Sequence, residues 1–588
     1  NEVLADIFAL GLFNNRLDLF ANLVFDKLNV EVDLAGVNWD NELDLFYQVV
    51  AELIATLGDA QFVKLSEIKA YAEVLDLNTL INDEVVVNEK TIDRLFNIFT
   101  IVLDSEVLER AFAPVYEKAM SKVANRIGLP AAVADATRYP YGSFVHDVKS
   151  GIEMARSLIS FGVLDIYRLD KEIPWETTAQ IENIIKLGFG LRFLDEFDVE
   201  LFEFVGSKLG KDLTSGVNFE AIDWAADADK YAAAYAILAK KVFASEDFFI
   251  NTYSELRAGG FDYKALIADE YLLAVLDAAD IVLDTTLVNA YALKALDFVN
   301  GYVPAELQFV IAETTISSAE AVEDFHGFLD IARLAISAGI VDFYNTRDMY
   351  INASFYNGVV DELFALNLTK DSALRVRAIN VVLGKLGLEE IDSISNWDNE
   401  QAVIKATITE VCEFLMHNDV TTVKGLYNFA VNKEFMSKEF LTEENALDIL
   451  DIAAAAIASE VVLKVSASVY QEVVERLPFD GAQELLGFGN GARDYYKELF
   501  YLDAPQFIEI AKKVVKLGAV DLYHRVDVEL PSADEINEVL ADVFALGLFN
   551  NRLDLFLDVV FNRFNIEVDL TGVNWDSELN IVYSIVTE

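Results

Sequence analysis

The chain has 588 residues, and its 98 Asp plus Glu against 45 Lys plus Arg give a formal charge of −53, with 53% hydrophobic residues and a mean hydropathy of +0.28. That charge excludes nucleic acid as a partner, because phosphate binding needs clustered cations, and it disfavours an anionic membrane surface. The apolar content separates the chain from acidic disordered segments and implies contacts between units or copies beyond each domain's own core.

In chain order, the first element sets the theme. Asn1 to Glu52 return as Asn537 to Glu588 with 36 identities and no gap, and Phe8 to Phe20 return unchanged as Phe544 to Phe556. Weaker copies lie between them. Leu10-Gly11-Leu12 recurs as Leu187-Gly188-Phe189, Leu366-Asn367-Leu368 and Leu546-Gly547-Leu548, at spacings of 177, 179 and 180. Next, Val30 to Leu34 alternates in polarity and returns as Ile566 to Leu570; five residues long and absent from the second unit, it reads as an extended connector. A tryptophan behind a polar cap follows: Asn38-Trp39, Asp223-Trp224, Asn396-Trp397 and Asn574-Trp575 hold four of the five tryptophans. Behind it, Leu43, Phe46, Val50, Leu53, Ile54 and Leu57 fall on one face of a helix over 41–57, with Gly58 as its stop and Asn38 or Asp40 as its cap. The tryptophan then plugs one core corner in each unit. The last landmark, Gly-x-x-Asp-x-Tyr, spans Gly162 to Tyr167, Gly339 to Tyr344 and Gly518 to Tyr523, spaced 177 and 179.

Three landmarks give one period of roughly 179 residues, which is domain-sized. The expected fold is all-α: a tandem array of helical-bundle domains docked end to end, covering 1–174 (with its N-terminal edge cut), 175–352, 353–532 and 533–588, the last a near copy of the first. Pro174 and Pro531 follow the glycine landmark by similar intervals, with Asn352 near that place in the middle unit. Their flanks lack Gly and Ser, so the joints are expected to be docked rather than flexible. Gly162, Tyr167, Pro174, Gly339, Tyr344, Gly518, Tyr523 and Pro531 are the candidate joint residues. Asn38, Trp39, Trp224, Asn396, Trp397, Asn574 and Trp575 are the repeated core and cap residues. The divergence of the middle units suggests a cycle of three distinct domains, after which the first returns, within a very long parent.

Signs of catalysis are sparse. The four histidines, His146, His326, His417 and His524, occupy no repeated slot, Arg168 and Asn345 standing where the third unit has His524. Cys412, the single cysteine, lies five residues from His417, a poor spacing for a shared site on a helix. Asp324 and His326, two apart, face apart. Gly487 to Asp494 is glycine-rich without a preceding strand and reads as a loop, and no metalloprotease, hydrolase or nucleotide-binding motif occurs. The abundant carboxylates read as solvated faces. Calcium is the candidate ion, because Asn38 to Glu42, Asn396 to Glu400 and Asn574 to Glu578 each offer several oxygen donors, but helix capping is the favoured reading, and Asp223 to Asp227 in the second unit lack two of those donors. No catalytic residue, cofactor-binding residue or metal ligand is assigned.

In its repeat organisation, acidity and scarcity of cysteine the chain resembles tandem-repeat regions of giant bacterial surface or adhesin-type proteins. The resemblance spans the whole chain, rests on composition and transfers no functional residues. It implies a non-catalytic structural segment at the cell surface or outside the cell, a fibre, stalk, sheath or lattice whose partners are other copies of itself. The alternative is a multivalent ligand-binding array, which would repeat an exposed groove instead of core and joint positions.

Overall fold

Helices form wherever apolar residues recur at three- and four-residue spacing behind a polar cap. The computed structural model describes residues 16–27, 31–73, 83–127, 137–169, 173–245, 267–346, 348–432, 437–476, 486–489, 495–525, 531–549, 552–563 and 566–587. Among these the fold is all-α: no β-strand occurs, only isolated bridges at Tyr350–Thr422 and Phe488–Tyr495. The described connectors 31–34 and 566–570 take no regular structure. No described helix is long and apolar enough to cross a membrane.

The chain divides into two compact units, Asn1–Ala292 and Leu293–Glu588. In the first, the helices are α1 (Leu17–Lys27), α2 (Trp39–Asp59), α3 (Leu65–Glu73), α4 (Glu89–Leu103), α5 (Glu106–Ile127), α6 (Tyr141–Ser160), α7 (Val163–Leu169), α8 (Ala179–Phe189), α9 (Arg192–Leu209), α10 (Trp224–Leu238), α11 (Asp269–Leu283) and the first half of α12 (Thr286–Asn300), within which the division falls. A row runs through them: α2 packs on α4, α4 on α6, α6 on α8, α8 on α10, and α10 on α11. Asn88 shows how these helices start, its side chain accepting from the Thr91 N–H while the Thr91 hydroxyl accepts from the Asn88 N–H. An aromatic core of Tyr116, Tyr139 and Phe197, with Phe144 and Phe193 against it, ties α5, α6 and α9 together.

The second unit repeats the scheme with α13 (Gln308–Ala312), α14 (Ser318–Ser337), α15 (Ile340–Thr346), α16 (Ala353–Ala365), α17 (Ser372–Lys385), α18 (Trp397–His417), α19 (Val423–Asn432), α20 (Glu443–Ile457), α21 (Glu460–Glu475), α22 (Lys497–Val514), α23 (Val520–His524), α24 (Ala533–Ala545), α25 (Leu553–Arg563) and α26 (Trp575–Thr587). Here α14, α16, α18, α20, α22, α24 and α26 pack successively, each on the next. Ser317 and Ser532 form reciprocal caps with Glu320 and Glu535. One core gathers Tyr495, Phe500, Ala467, Ala504, Leu546 and Leu548, another Val376, Leu383, Ile391 and Ile394 beneath Trp397. The long helices on either side of Pro174, Asn352 and Pro531, beyond the short α7, α15 and α23, are in direct contact, α6 with α8, α14 with α16, and α22 with α24.

One landmark moves. Leu366 and Leu546 leave their helices with φ/ψ of −57/134 and −59/142, and the residue with the same geometry in the preceding copy is Leu191 at −66/129. Leu187-Gly188-Phe189 lies inside α8, so the structural counterpart of the turn is Leu191-Arg192-Phe193, four residues on. In the sequence the local Leu-Gly-Phe match outweighs the position of the helix end. Leu10-Gly11-Leu12 lies outside the described residues.

Candidate functional sites

The repeated chemistry of this chain is a buried carboxylate that caps a distant helix start. On α22, Asp503 accepts the N–H groups of Gly547 (2.7 Å) and Leu548 (2.9 Å). On α14, Asp324 accepts those of Asn367 (2.6 Å) and Leu368 (2.9 Å), and on α6, Asp147 those of Arg192 (2.9 Å) and Phe193 (2.8 Å). The three aspartates keep the period of the landmarks. Asp147 stands before Gly162 at the same distance as Asp324 before Gly339 and Asp503 before Gly518.

A second series starts from the tryptophan helices. Glu42 accepts from the Ser105 hydroxyl (2.6 Å) and the Glu106 N–H (2.7 Å). Asp227 accepts from the N–H groups of Thr286 (2.7 Å) and Leu287 (2.8 Å) and from the Thr286 hydroxyl (2.9 Å). Glu400 takes the Ser459 hydroxyl and the Glu460 N–H (2.9 Å). All three stand three residues after the tryptophan. The contact is returned: Glu106 accepts from the Asn38 N–H, the Thr286 hydroxyl from the Asp223 N–H, and Glu460 from the Ser395 N–H and hydroxyl. Two helix starts thereby cap each other.

In chain order Glu42, Asp147, Asp227, Asp324, Glu400 and Asp503 alternate between the two series, so each period carries two clamps. One rule covers all six. The carboxylate helix packs on a second helix, and the carboxylate caps whatever helix or turn begins directly after that second helix. Burial makes the arrangement strong: Asp227, Asp324, Glu400 and Asp503 are at most 2% exposed. A buried carboxylate has to find donors, and the first amides of a helix are unpaired and lie at its positive end. At Asp147 burial acts to raise the carboxyl pKa, but the Tyr139 hydroxyl, the His146 ring and the Phe193 and Arg192 amides outweigh it and hold it below the usual range.

The tryptophan slot sits beside the second series. Trp39, Trp224, Trp397 and Trp575 each open a helix, and Asn38, Asp223, Asn396 and Asn574 accept the N–H three residues on. Trp224 is 5% exposed and donates its Nε1–H to Asp198 (3.2 Å), a carboxyl raised above its usual range by burial. Trp397 packs under Arg375 and beside Phe364 and, like Trp39 and Trp575, is half-buried.

The joint residues are less inward. Gly162, Gly339 and Gly518 take φ of 91°, 91° and 87°, a left-handed conformation that glycine adopts without strain, and a short helix follows each. Tyr344 and Tyr523 are 39% and 58% exposed; the Tyr523 ring lies under Lys438. The Tyr167 side chain lies outside the described residues. Pro174 opens a turn whose carbonyl accepts from the Thr177 N–H, and Pro531 precedes the Ser532 cap of α24.

The sparse chemistry is dispersed. Cys412 is buried, which raises its thiol pKa, while His417 pairs with Asp448 (2.9 Å), which raises the imidazole. His146 contacts Asp147, His524 meets the Leu441 carbonyl, and Asp324 is committed to its clamp. Asn490 to Asp494 lie outside the described residues. In the acidic segments weighed for calcium, Glu42 and Glu400 turn to helix starts, and among the described residues no three His, Cys, Asp or Glu side chains converge on one point. The clamps escaped the reading of the sequence, although a carboxylate at both repeated positions was a visible signal.

No protein-family model, curated protein or solved structure matches the chain.

Proposed function

We propose that the chain is a structural, non-catalytic repeat segment of a giant extracellular or cell-surface protein, built as a fibre, stalk, sheath or lattice. In this reading it is a tandem array of domain-sized units, 1–174, 175–352, 353–532 and the start of a fourth from 533, whose partners are other copies of the same protein. The observation that carries the reading is where the repeated residues lie. The carboxylates that recur, Asp147, Asp324, Asp503 and Glu42, Asp227, Glu400, are directed onto helix starts and not onto an open groove, while of the recurring landmark residues Tyr344 and Tyr523 are exposed. A binding array would repeat its binding face. Exposed apolar side chains such as Leu19, Leu23 and Val24 on α1 supply area for association between copies.

Electron microscopy of the natively purified full-length protein, without and with millimolar calcium, tests this. Regular filaments or sheets with a repeating axial spacing are expected, and a requirement for calcium would add bridging carboxylates to the account. Single particles that never associate would turn the search to ligands of a recognition array.

A further inference from the structure

In this acidic chain cations such as Arg94, Arg138, Lys405 and Lys512 are held by carboxylates of their own unit. On α5 three are not: Lys118, Lys122 and Arg126 are exposed and have no carboxylate partner among the described residues. With Phe112 (53% exposed), Val115 (45%) and Ala119 they lie at three- and four-residue steps, so they make one strip along the outer side of the helix. The inner side carries Tyr116, buried in the aromatic core, and Met120 packed against it. The strip returns on α21, where the clamps fix the register: Glu42 takes the Ser105 hydroxyl in front of α5, and Glu400 that of Ser459 in front of α21. Ten residues behind each serine stand Val115 and Val469, and fourteen behind stand Ala119 and Val473. Val462, Val469 and Val473 are 38%, 41% and 55% exposed, while Ala467 and Val474 are buried. One position reverses its charge: thirteen residues behind the serine α5 has Lys118 and α21 has Glu472, with Glu475 next to it along the strip and both glutamates exposed. The middle copy does not keep the strip, because the buried Ala292 stands in the slot of Phe112. Chain ends do not explain the exposure, since more than two periods of sequence follow α5 and more than two precede α21.

We propose that the α5 strip is a docking surface for the α21 strip of a second copy of this chain. The assignment rests on the structural reading above and names the contact through which copies associate. Charge selects the occupant first. Copies carrying −53 each repel one another, so they approach closely only where the sign is locally reversed, and Lys118, Lys122 and Arg126 supply that reversal. The shared pattern selects it second. Helices with apolar residues at three- and four-residue steps pack side by side, and Phe112 and Val115 on one copy meet Val462, Val469 and Val473 on the other, with Lys118 and Lys122 beside Glu472 and Glu475. Two α5 strips face to face oppose cations, and two α21 strips oppose carboxylates. Arg476 already pairs with Glu472, but an exposed pair within one helix is weak and yields to a docked partner. Each copy carries both halves of the contact.

Sedimentation equilibrium of the 588-residue chain over a concentration series, at low and high salt, tests this. The unaltered chain is expected to self-associate at low salt and to weaken as salt screens the contact. Lys118→Glu with Lys122→Glu, and separately Glu472→Lys with Glu475→Lys, should each weaken association about tenfold or more, because each sets like charges against one another. The second pair makes the chain less acidic, so general repulsion alone calls for tighter association where the docked contact calls for weaker. Mixing the two variants should restore association, since the acidic α21 strip of one meets the basic α5 strip of the other and the two reversed strips match as well. That rescue separates a lost contact from a lost fold. Association of both variants at unaltered strength places the contact elsewhere and overturns the assignment while the structural reading stands. Loss in the α5 variant that the α21 variant does not share, or that mixing does not rescue, overturns α21 as the occupant. A chain that stays monomeric throughout overturns the assignment outright, and microscopy of the full-length protein then decides the structural reading by itself.

Discussion

The clamps at Asp503 and Asp324 stand one period apart, capture two backbone amides each, and are completed by different chemistry. At Asp503 a third donor, the Tyr495 hydroxyl (2.7 Å), fills the carboxylate from within an aromatic core, and the captured turn begins at Gly547. In the slot before Asp324 that matches Tyr495 stands Ile316, which has no hydroxyl, but the captured residue is Asn367, whose amide donates to the Glu320 carbonyl and to Glu323 (both 3.1 Å). One site adds its third hydrogen bond from the segment leading into the carboxylate helix and the other from the captured turn. The shared part is carboxylate to backbone, which any residue can supply. The part free to differ is the side chain that locks the turn in place.

Removing the shared part should have the largest effect. Asp503→Ala strands two amides and a hydroxyl in a dry core and is expected to cost about 3–5 kcal/mol, read from denaturation and from amide exchange at Leu548. A cost under about 1 kcal/mol would mean the carboxylate does not hold the turn. Removing either variable part should cost less and by comparable amounts: about 1–2 kcal/mol for Tyr495→Phe and for Asn367→Ala. If only Tyr495→Phe registers, the Asn367 side chain is ornamental and the two sites are not alternative solutions.

The two turns also differ in the room they leave. A Cβ at Gly547 would meet Asp503 Oδ1 and Leu499 Cδ2 at 3.2 Å, whereas the same slot holds Asn367 in the preceding copy. Gly547→Ala should therefore destabilise the Asp503 clamp by about 1 kcal/mol through overpacking. An unchanged melting profile would show that α22 shifts to make space, and the sites would be more alike than their distances suggest.

Much of this was legible in the sequence, and the unread part has a physical cause. Helix identity follows from apolar spacing, so α2 runs over Trp39–Asp59 where periodicity predicts 41–57. Caps are local, so Asn38 and Asn396 are readable from a few neighbouring residues. The clamps are not local. Asp324 and its partner Asn367 are 43 residues apart, and in a chain with 98 acidic residues a single aspartate reads as solvated. Period alone could have exposed it, since an acid recurs three residues after each repeated tryptophan and at one fixed distance before each landmark glycine.

Acid should have the smallest effect per step, and it bears on the related clamp at Asp147. That clamp shares the tyrosine of the Asp503 site, Asp147 Oδ2 accepting from Tyr139 (2.7 Å), but its carboxylate side chain is 10% exposed. Its folded pKa is depressed, with burial opposing and the donors from Tyr139, His146, Phe193 and Arg192 prevailing. A depressed acid pKa stabilises the fold above the unfolded value of about 3.9, and that contribution is lost as pH falls through the folded value. Protection of the Arg192 and Phe193 amides, corrected for intrinsic exchange, should therefore stay level from neutral pH down to about 4 and decline below it. Asp147→Asn should begin from lower protection and lose the local acid dependence. The same slope in that variant would place the titrating group elsewhere and leave the Asp147 clamp as a neutral hydrogen-bonding contact.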